Sequence, residues 1–397
     1  MSKKPTNINL RVAFPLAFAS MLFFPSAIWM FFYIQYLSFA EIASIMAIGA
    51  IFSLMLEVPT GVFADIVGRK WAVFGSYALF AIAMVGVATS TTYLGFLVWT
   101  LVNATVNALY SGSMEALVYD TLKESGQERE FDHWVSRMET ATWVGLFIST
   151  VVGGYLYTQD PRFPYYAQAI FMGIAALLSI LLKEPRIDSQ QYSLADGIKQ
   201  NLVGFGELMA TPTRRYLTLI FVIIGAGYYI ASDILGISQA REYGLTPEIV
   251  GWVFGVGYII SAIASHYYPA FRKKLGEMKL VWVAAVVLVT SFVMAKYVGL
   301  WIGTLLIILR IASSTTFRNS RSVIINREIS SKNRATTLST LNLLMMLPYA
   351  IGASMIGTYM DRTSPNQFAW LLGVGIAGVL GLINLSKIVF SFDKRKV

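Results

Sequence analysis

The sequence predicts an all-α membrane protein with twelve transmembrane helices, because both its hydropathy and its charge distribution are typical of that fold class. Of the 397 residues, 56% are hydrophobic and 13% are charged, whereas soluble domains carry about 25% charged residues. A spanning helix needs about 20 apolar residues, and backbone groups within hydrocarbon must hydrogen-bond to one another. Several long runs contain no Asp, Glu, Lys or Arg and therefore predict spanning helices: 12–40, 71–114, 140–159, 163–182, 249–271, 335–360 and 363–386.

Two six-helix halves follow from the order of these runs. The predicted helices cover 12–38, 41–64, 70–90, 94–121, 134–157, 163–182, 214–240, 246–271, 278–297, 300–326, 335–359 and 366–389. The longest hydrophilic stretch lies between the sixth and seventh helices. We therefore predict an N-terminal six-helix bundle over 1–182, a cytoplasmic central loop over 183–213 and a C-terminal six-helix bundle over 214–397.

The basic residues predict the orientation of the chain in the membrane. With the N-terminus in the cytoplasm, only four of the 31 Lys and Arg residues fall in outer loops, namely Arg162, Arg241, Lys296 and Arg362. Cytoplasmic loops carry the excess of Lys and Arg in membrane proteins. The pattern predicts a multi-pass protein of the cytoplasmic membrane with both termini inside. It also accounts for the net charge of +9 without a nucleic-acid partner.

Composition excludes several classes of chemistry. The chain has no cysteine and only two histidines, so we expect no disulfide and no histidine metal site. It contains no G-x-x-x-x-G-K-[ST] phosphate loop, which argues against direct use of ATP. We expect no enzyme activity, no cofactor and no metal.

A charged loop between the second and third predicted helices carries the most specific motif. It reads Gly61-x-x-x-Asp65-x-x-Gly68-Arg69-Lys70. Gly61 allows close helix packing and Gly68 permits a tight turn. Asp65 lies at a helix C-terminus, where the helix dipole disfavours an acid, so it needs a partner such as Arg69 or the N-terminus of another helix.

This loop resembles the signature of the major facilitator superfamily. A reduced copy, Arg272-Lys273-Lys274 with Gly276, stands at the equivalent place in the second half. The resemblance implies a secondary transporter that works by alternating access, with Gly61, Asp65, Gly68, Arg69 and Lys70 forming a cytoplasmic gate. The alternative is a basic loop that only sets topology.

Helix five carries a second resemblance. Gly145-x-x-x-Ser149-Thr150-x-x-Gly153-Gly154 is similar to the antiporter motif of drug exporters, with Ser149-Thr150 where that motif has Gly-Pro. The resemblance implies proton-coupled efflux.

Acidic residues inside the predicted helices are candidate proton sites, because charge within the bilayer costs about 3 kcal/mol or more. Asp233 is the best placed, toward the outer half of the membrane, and Tyr229, Ser232, Asp233 and Gly236 follow i, i+3, i+4, i+7 spacing on one helix face. The alternative is an acid paired with Arg241 or another cation. Glu57 and Glu115 are further proton candidates, or else they pair with Arg137, Arg321 or Arg69. A polar stripe with Asn103 and Asn107 precedes Glu115.

Helix ten is unusually basic. At 100° per residue, Arg310, Arg318 and Arg321 share a face, which lipid does not accept. Arg310, the deepest, is predicted either to hold an anionic group of the substrate or to be the counter-ion of Asp233.

Helix one carries an aromatic stripe of Trp29, Tyr33 and Tyr36. The stripe is expected either to line the substrate cavity or to take part in ordinary packing and the interfacial aromatic belt.

These features predict a monomeric transporter that exports amphipathic compounds in exchange for protons. We keep two alternatives open: proton-linked uptake or exchange of a small organic anion, and a membrane receptor of the same fold that does not transport.

Overall fold

A computed structural model describes residues 8–110, 113–127, 130–184, 194–329 and 333–393. These residues form helices and contain no β-strand. The helices of the first half are α1 (Ile8–Met21), α2 (Trp29–Tyr33), α3 (Phe39–Val67), α4 (Arg69–Thr89), α5 (Tyr93–Tyr110), α6 (Ser113–Glu124), α7 (Phe131–Gln159) and α8 (Phe163–Ser179). The remaining helices are α9 (Leu194–Met209), α10 (Pro212–Ile230), α11 (Gly236–Glu242), α12 (Pro247–Leu275), α13 (Glu277–Val293), α14 (Leu300–Glu328), α15 (Arg334–Arg362) and α16 (Pro365–Asp393).

The pairs α1–α2, α5–α6 and α10–α11 each follow one another across a short break. Counted as single segments, they give twelve long helical segments and one additional helix, α9, among the described residues. Within this part of the chain, nine helices are long and apolar enough to cross a membrane, and α8 is a shorter apolar helix. The predicted all-α membrane fold is confirmed. Helix α9 lies inside the segment that was predicted only as a polar central loop.

The chain divides into two compact units. The first unit comprises residues up to Ile198 together with Thr246–Ile259, and the second comprises Lys199–Leu245 together with the chain from Ile260 onward. The first part of α12 therefore packs with the N-terminal helices. The boundaries predicted at residues 182 and 214 remain a prediction.

Helix one is interrupted, although the sequence predicted one helix over 12–38. Helix α1 ends at Met21, a 3₁₀ turn covers Phe24–Ala27, and α2 begins at Trp29. The Phe24 N–H, freed by this break, donates to Oε1 of Gln168 on α8 at 3.0 Å. Because Pro25 has no N–H and cannot continue the helix, the distant glutamine replaces a lost helical bond.

An apolar core joins four helical segments of the first unit. Leu16 of α1, Val73 of α4, Leu117 of α6 and Met172 of α8 are all buried in this cluster. The Tyr77 hydroxyl, which also lies there, donates to the carbonyl of Leu16 at 2.9 Å. This packing fixes the helices that carry the charged loop.

Helix α9 is held on the second unit by polar contacts. The Glu207 carboxylate accepts from Arg214 and from Asn333, each at 2.7 Å. Gly204 lies so close to Thr340 of α15 that a β-carbon would collide with the threonine hydroxyl. The central segment is therefore anchored to the starts of α10 and α15.

Candidate functional site

The charged loop is a helix–turn–helix junction. Helix α3 ends at Val67, and Gly68 adopts a φ of 102°, a left-handed conformation that only glycine adopts readily. Glu184 accepts hydrogen bonds from the N–H groups of Arg69 and Lys70, each at 2.8 Å. A carboxylate at this helix N-terminus satisfies two free N–H groups and complements the helix dipole.

Arg69 forms an ion pair with Asp120 of α6. The sequence suggested Arg69 as one possible partner of Asp65, and this pairing stays a prediction. Neither Asp120 nor Glu184 was expected, because both approach from distant parts of the chain. The side chain of Asp65 and the surroundings of Gly61 lie outside the described part of the structure.

The second unit has a related junction. Gly276, between α12 and α13, has a φ of 79°. The Glu277 carboxylate pairs with Arg272 at 3.1 Å and with Arg327 at 3.5 Å. The reduced copy of the motif therefore keeps the glycine turn and a charge network.

The glycines of the helix-five motif are sites of close backbone approach. A β-carbon at Gly153 would collide with the carbonyl of Phe24, and one at Gly145 would press on the carbonyl of Phe18. Gly154 lies against the backbone of Pro247 at the start of α12. The motif thus packs α7 against helix one on one side and against α12 on the other.

Gly251 and Gly255 of α12 complete this contact. Gly251 lies against the carbonyl of Thr150, and Gly255 against the ring of Phe147. The α7–α12 contact therefore combines close approach at small residues, as helix contacts in membranes allow, with ring contacts of Phe147 with Trp252 and of Trp143 with Tyr258.

Asp233 lies in a π-helical segment, Ala231–Leu235, between α10 and α11. Its side chain lies beside Tyr229 and Tyr349, whose rings are 5.6 Å apart. Its Oδ2 is buried without a hydrogen-bond partner. Among the described residues it forms no ion pair, so neither Arg241 nor Arg310 is its counter-ion there.

The π segment changes the face that the sequence predicted. A π turn inserts an extra residue into the helical register, so α-helical spacing does not continue from Tyr229 to Gly236. Ser232 is exposed, Asp233 is half-buried and Gly236 is buried. Tyr349, on α15, is an additional neighbour that sequence spacing could not reveal.

Helix α14 separates its three arginines. Arg310 is 3% exposed and Arg321 is 6% exposed, but Arg318 is exposed. The predicted common face is thus buried at Arg310 and Arg321 and open at Arg318. The 80° offset places Arg318 at the edge of that face, where it reaches the surface.

Arg310 and Arg321 have no carboxylate partner among the described residues. The Arg310 guanidinium lies 5.0 Å from the ring centroid of Phe292, and its Nη2 has no hydrogen-bond partner. The Nη1 of Arg321 contacts the sulfur of Met345 at 2.9 Å. Both cations are thus buried among apolar and aromatic groups in the part of the chain that the structure describes.

The aromatic stripe of helix one packs inside the first unit. Tyr33 is 6% exposed, with ring centroids 4.4 Å from Phe96 and 5.4 Å from Trp29. This favours the packing alternative for Tyr33, whereas Trp29 is half-buried.

The other predicted polar positions lie on α3, α5 and α6. Asn103 is half-buried and Asn107 is exposed on α5. A polar amide in this position is compatible with an aqueous cavity. The side chains of Glu57 and Glu115 lie outside the described part of the structure.

Comparisons with known proteins agree with this architecture. The sequence profile of the Major Facilitator Superfamily matches residues 12–353. An uncharacterized MFS-type transporter of Bacillus subtilis (strain 168), YxaM, is 23% identical over 267 residues, 63% of each chain. Multidrug resistance protein 1 of the same organism is 27% identical over 146 residues, 36% of each chain. Both matches span less than two thirds of the relative's length.

The fold is also similar to that of a solved transporter. The crystal structure of a variant of the nucleoside transporter NupG superposes with a TM-score of 0.77 at 17% identity, over 96% of this chain and 98% of that one. At this identity the similarity shows the fold alone.

Long apolar helices, polar groups buried within them and a charged junction of this geometry define a polytopic membrane protein. The chain belongs to the major facilitator superfamily. It is accordingly a multi-pass membrane protein of a family of transporters, not of enzymes.

Proposed function

We propose that the protein exports amphipathic compounds from the cytoplasm in exchange for protons, with Asp233 as the proton-carrying group. The observation that supports this most directly is a carboxylate inside a transmembrane segment that has no cation partner among the described residues. Intramembrane acids of this kind mark proton pathways in transporters.

The surroundings of Asp233 suit a group that takes up and releases a proton. The Tyr229 and Tyr349 side chains beside it are neutral, so they do not fix the carboxylate in its charged form as an arginine would. The π segment adds a local irregularity, a feature that is frequent at functional sites.

Two findings support the direction of transport. The helix-five glycines pack α7 closely against helix one and α12, in a motif similar to that of drug exporters. One relative is named a multidrug resistance protein. Tyr229, Trp29, Asn103 and Asn107 are the further residues that we propose for the substrate path, and Glu57 and Glu115 for the proton path.

The charged junction is proposed as the cytoplasmic gate. Glu184, in the segment after α8, and Asp120 of α6 both bind the Arg69 end of α4, so charged contacts add to the apolar packing at this rim of the first unit. The gate residues are Gly61, Asp65, Gly68, Arg69 and Lys70. We place the protein in the cytoplasmic membrane as a monomer, with both termini inside.

The test uses inside-out vesicles whose lumen is acidified. Compounds that raise the thermal unfolding midpoint of the purified protein are first selected from a panel of drugs, sugars, nucleosides, amino acids and organic anions. Adding such a compound should then raise the lumenal pH, because export of the compound releases protons. Asp233→Asn should abolish this signal.

Asp160→Asn is the matched control, because Asp160 is an acid in a turn, where it accepts from the N–H of Arg162 at 2.7 Å. It should behave like the wild type. Undiminished proton release by Asp233→Asn would remove Asp233 from the coupling role. Ligand binding without flux would favour the alternative of a non-transporting receptor. Proton-driven uptake of an anion would favour the alternative of an organic-anion transporter.

A further inference from the structure

We propose that the compounds carried by this protein are organic cations, and that Asp233 binds their charged centre beside the rings of Tyr229 and Tyr349. The site lies within the second unit, where α10 and the π segment that follows it meet α15. Because the cation would bind at the proton-carrying group, its transport rests on the function proposed above. Three features combine at this point: an unpaired carboxylate, two aromatic rings and access from the surface of the unit.

The Asp233 carboxylate lacks the partner that an acid within a transmembrane segment needs. Its Oδ2 is buried without a hydrogen-bond partner. The ion pairs in the described part of the chain involve other acids, namely Asp120, Glu207 and Glu277. A buried charge is normally paired, because its loss of hydration has to be compensated, and each exception needs an explanation. A cationic ligand would supply the missing charge.

Two tyrosine rings stand beside this carboxylate. Tyr229 precedes Asp233 by four residues, and its ring centroid lies 5.6 Å from that of Tyr349 on α15. This ring contact is continuous with close packing one turn earlier, where Gly225 of α10 lies against Met345 of α15. Tyr349 also lies beside Asp233. Since the faces of aromatic rings attract cations and aromatic cages bind quaternary ammonium groups, the rings add to the attraction of the carboxylate.

The site is accessible on one side. Asp233 and Tyr229 are half-buried, and Ser232 next to Asp233 is exposed. Tyr349 is completely buried and therefore forms the inner wall. A ligand can thus reach Asp233 from the surface of the second unit, and the tyrosine rings shield it on the inner side.

The chemistry of the site favours an organic cation over a metal ion. Ca²⁺ and Mg²⁺ are held by about six or more oxygen ligands, and the described residues contain no group of three or more His, Cys, Asp and Glu that could hold a metal. A substituted ammonium group is satisfied by one counter-charge and aromatic walls. Such a cation and a proton both neutralise the same carboxylate. They would therefore occupy Asp233 alternately, as an exchange mechanism requires.

The decisive experiment measures binding to the purified full-length protein by isothermal titration. The probes are phenyltrimethylammonium, benzyltrimethylammonium and (2-naphthylmethyl)trimethylammonium, each compared with the neutral hydrocarbon in which carbon replaces nitrogen, and sodium. At least one cation should bind at least tenfold more tightly than its hydrocarbon and than sodium. Asp233→Asn should weaken that cation at least tenfold. Asp361→Asn, which removes an exposed acid of α15, should change its Kd less than twofold.

The rings are tested by two substitutions of Tyr229. Tyr229→Leu removes the ring and should weaken binding of the cation at least fivefold. Tyr229→Phe keeps the ring and removes only the hydroxyl, so its effect should be at least threefold smaller. Equal effects of these two substitutions would refute the role of the ring. Equal effects of Asp233→Asn and Asp361→Asn, equal binding of cation and hydrocarbon, displacement by sodium at the same concentration, or no binding of any cation would overturn the proposal.

A second measurement leaves the chain unchanged, in case Asp233→Asn prevents folding. Dicyclohexylcarbodiimide modifies carboxyl groups in apolar surroundings, and mass spectrometry of the digested protein identifies the modified residue. The binding cation should slow the modification of Asp233 at least fivefold, and its hydrocarbon should not. Equal modification with and without the cation, including none in either case, would refute the location of the site.

The outcomes separate this site from the proposed function. Cation binding that depends on Asp233, without any proton-coupled flux, would leave the site standing and refute the transport mechanism. Proton-coupled flux that depends on Asp233 but shows no preference for a cation over its hydrocarbon would do the reverse.

Discussion

Substituting Gly153 by alanine tests whether close backbone contact with helix one holds the first unit together. The new β-carbon would collide with the carbonyl of Phe24, whose oxygen and carbon belong to the backbone. A side chain could rotate away, but a backbone carbonyl moves only if the helix shifts. Such overpacking costs about 1–3 kcal/mol, and the carbonyl contact places Gly153→Ala toward the upper end.

Gly173→Ala is the matched control, because a β-carbon at Gly173 of α8 meets nothing within 4 Å. Both substitutions gain about 1 kcal/mol of helix propensity, so this gain cancels between them. The difference in unfolding free energy between the two variants therefore equals the collision term. For a unit of about 200 residues it corresponds to roughly 2–4 °C per kcal/mol.

The assay is thermal unfolding in detergent, followed by intrinsic tryptophan fluorescence. Gly153→Ala should unfold below the wild type, and Gly173→Ala at or slightly above it. Equal midpoints for the two variants would show that helix one tolerates a methyl group here, and the backbone contact would then have no energetic importance.

Three further substitutions test contacts that join distant parts of the chain. Asp120→Asn breaks the ion pair with Arg69 and should lower the free energy of unfolding by about 1–3 kcal/mol, as for a partly buried charged bond. An unchanged unfolding midpoint would mean that this ion pair does not stabilise the protein. Gly204→Val should detach α9 and speed proteolysis of the central segment. Gly206→Val is the control and should not, because no atom lies within 4 Å of a β-carbon at Gly206. Equal cleavage of the two variants would argue against the docking of α9. Gln168→Leu removes the acceptor at the break in helix one and should lower the midpoint, because the buried N–H of Phe24 loses its partner. An unchanged midpoint would mean that the hydrogen bond contributes nothing.

Hydropathy predicted the positions of the helices well because helix ends coincide with local signals. Helix α4 ends at Thr89 and α5 begins at Tyr93, each within one residue of the boundary predicted from hydropathy. The positive φ of Gly68 likewise follows from a glycine between two helices. Such features depend on residues close together in the sequence.

The break in helix one could not be predicted in this way. Prolines also lie inside α1, α3, α12 and α15, and those helices continue. What distinguishes Pro25 is an acceptor for the freed N–H of Phe24, which Gln168 supplies from 144 residues away. Whether a helix breaks at a proline therefore depends on tertiary contacts, which the proline itself does not reveal.

For the same reason, the sequence did not predict the partners of the candidate site residues. Burial of Arg310 was predicted from its depth in an apolar helix, but its partners were not. The sequence offered Asp233 as a counter-ion, whereas the structure surrounds Arg310 with aromatic rings and places Asp233 beside tyrosines. Pairing between helices depends on their rotation and register, and one π segment changes both.

The contact between α7 and α12 has a mechanical consequence. Gly154 and Gly251 bring the two backbones together, but the ring of Phe147 lies against Gly255 and contacts the ring of Trp252. Such rings would have to change rotamer before one helix could slide along the other. The glycines therefore fix the spacing of the two helices, and the aromatic rings fix their axial register.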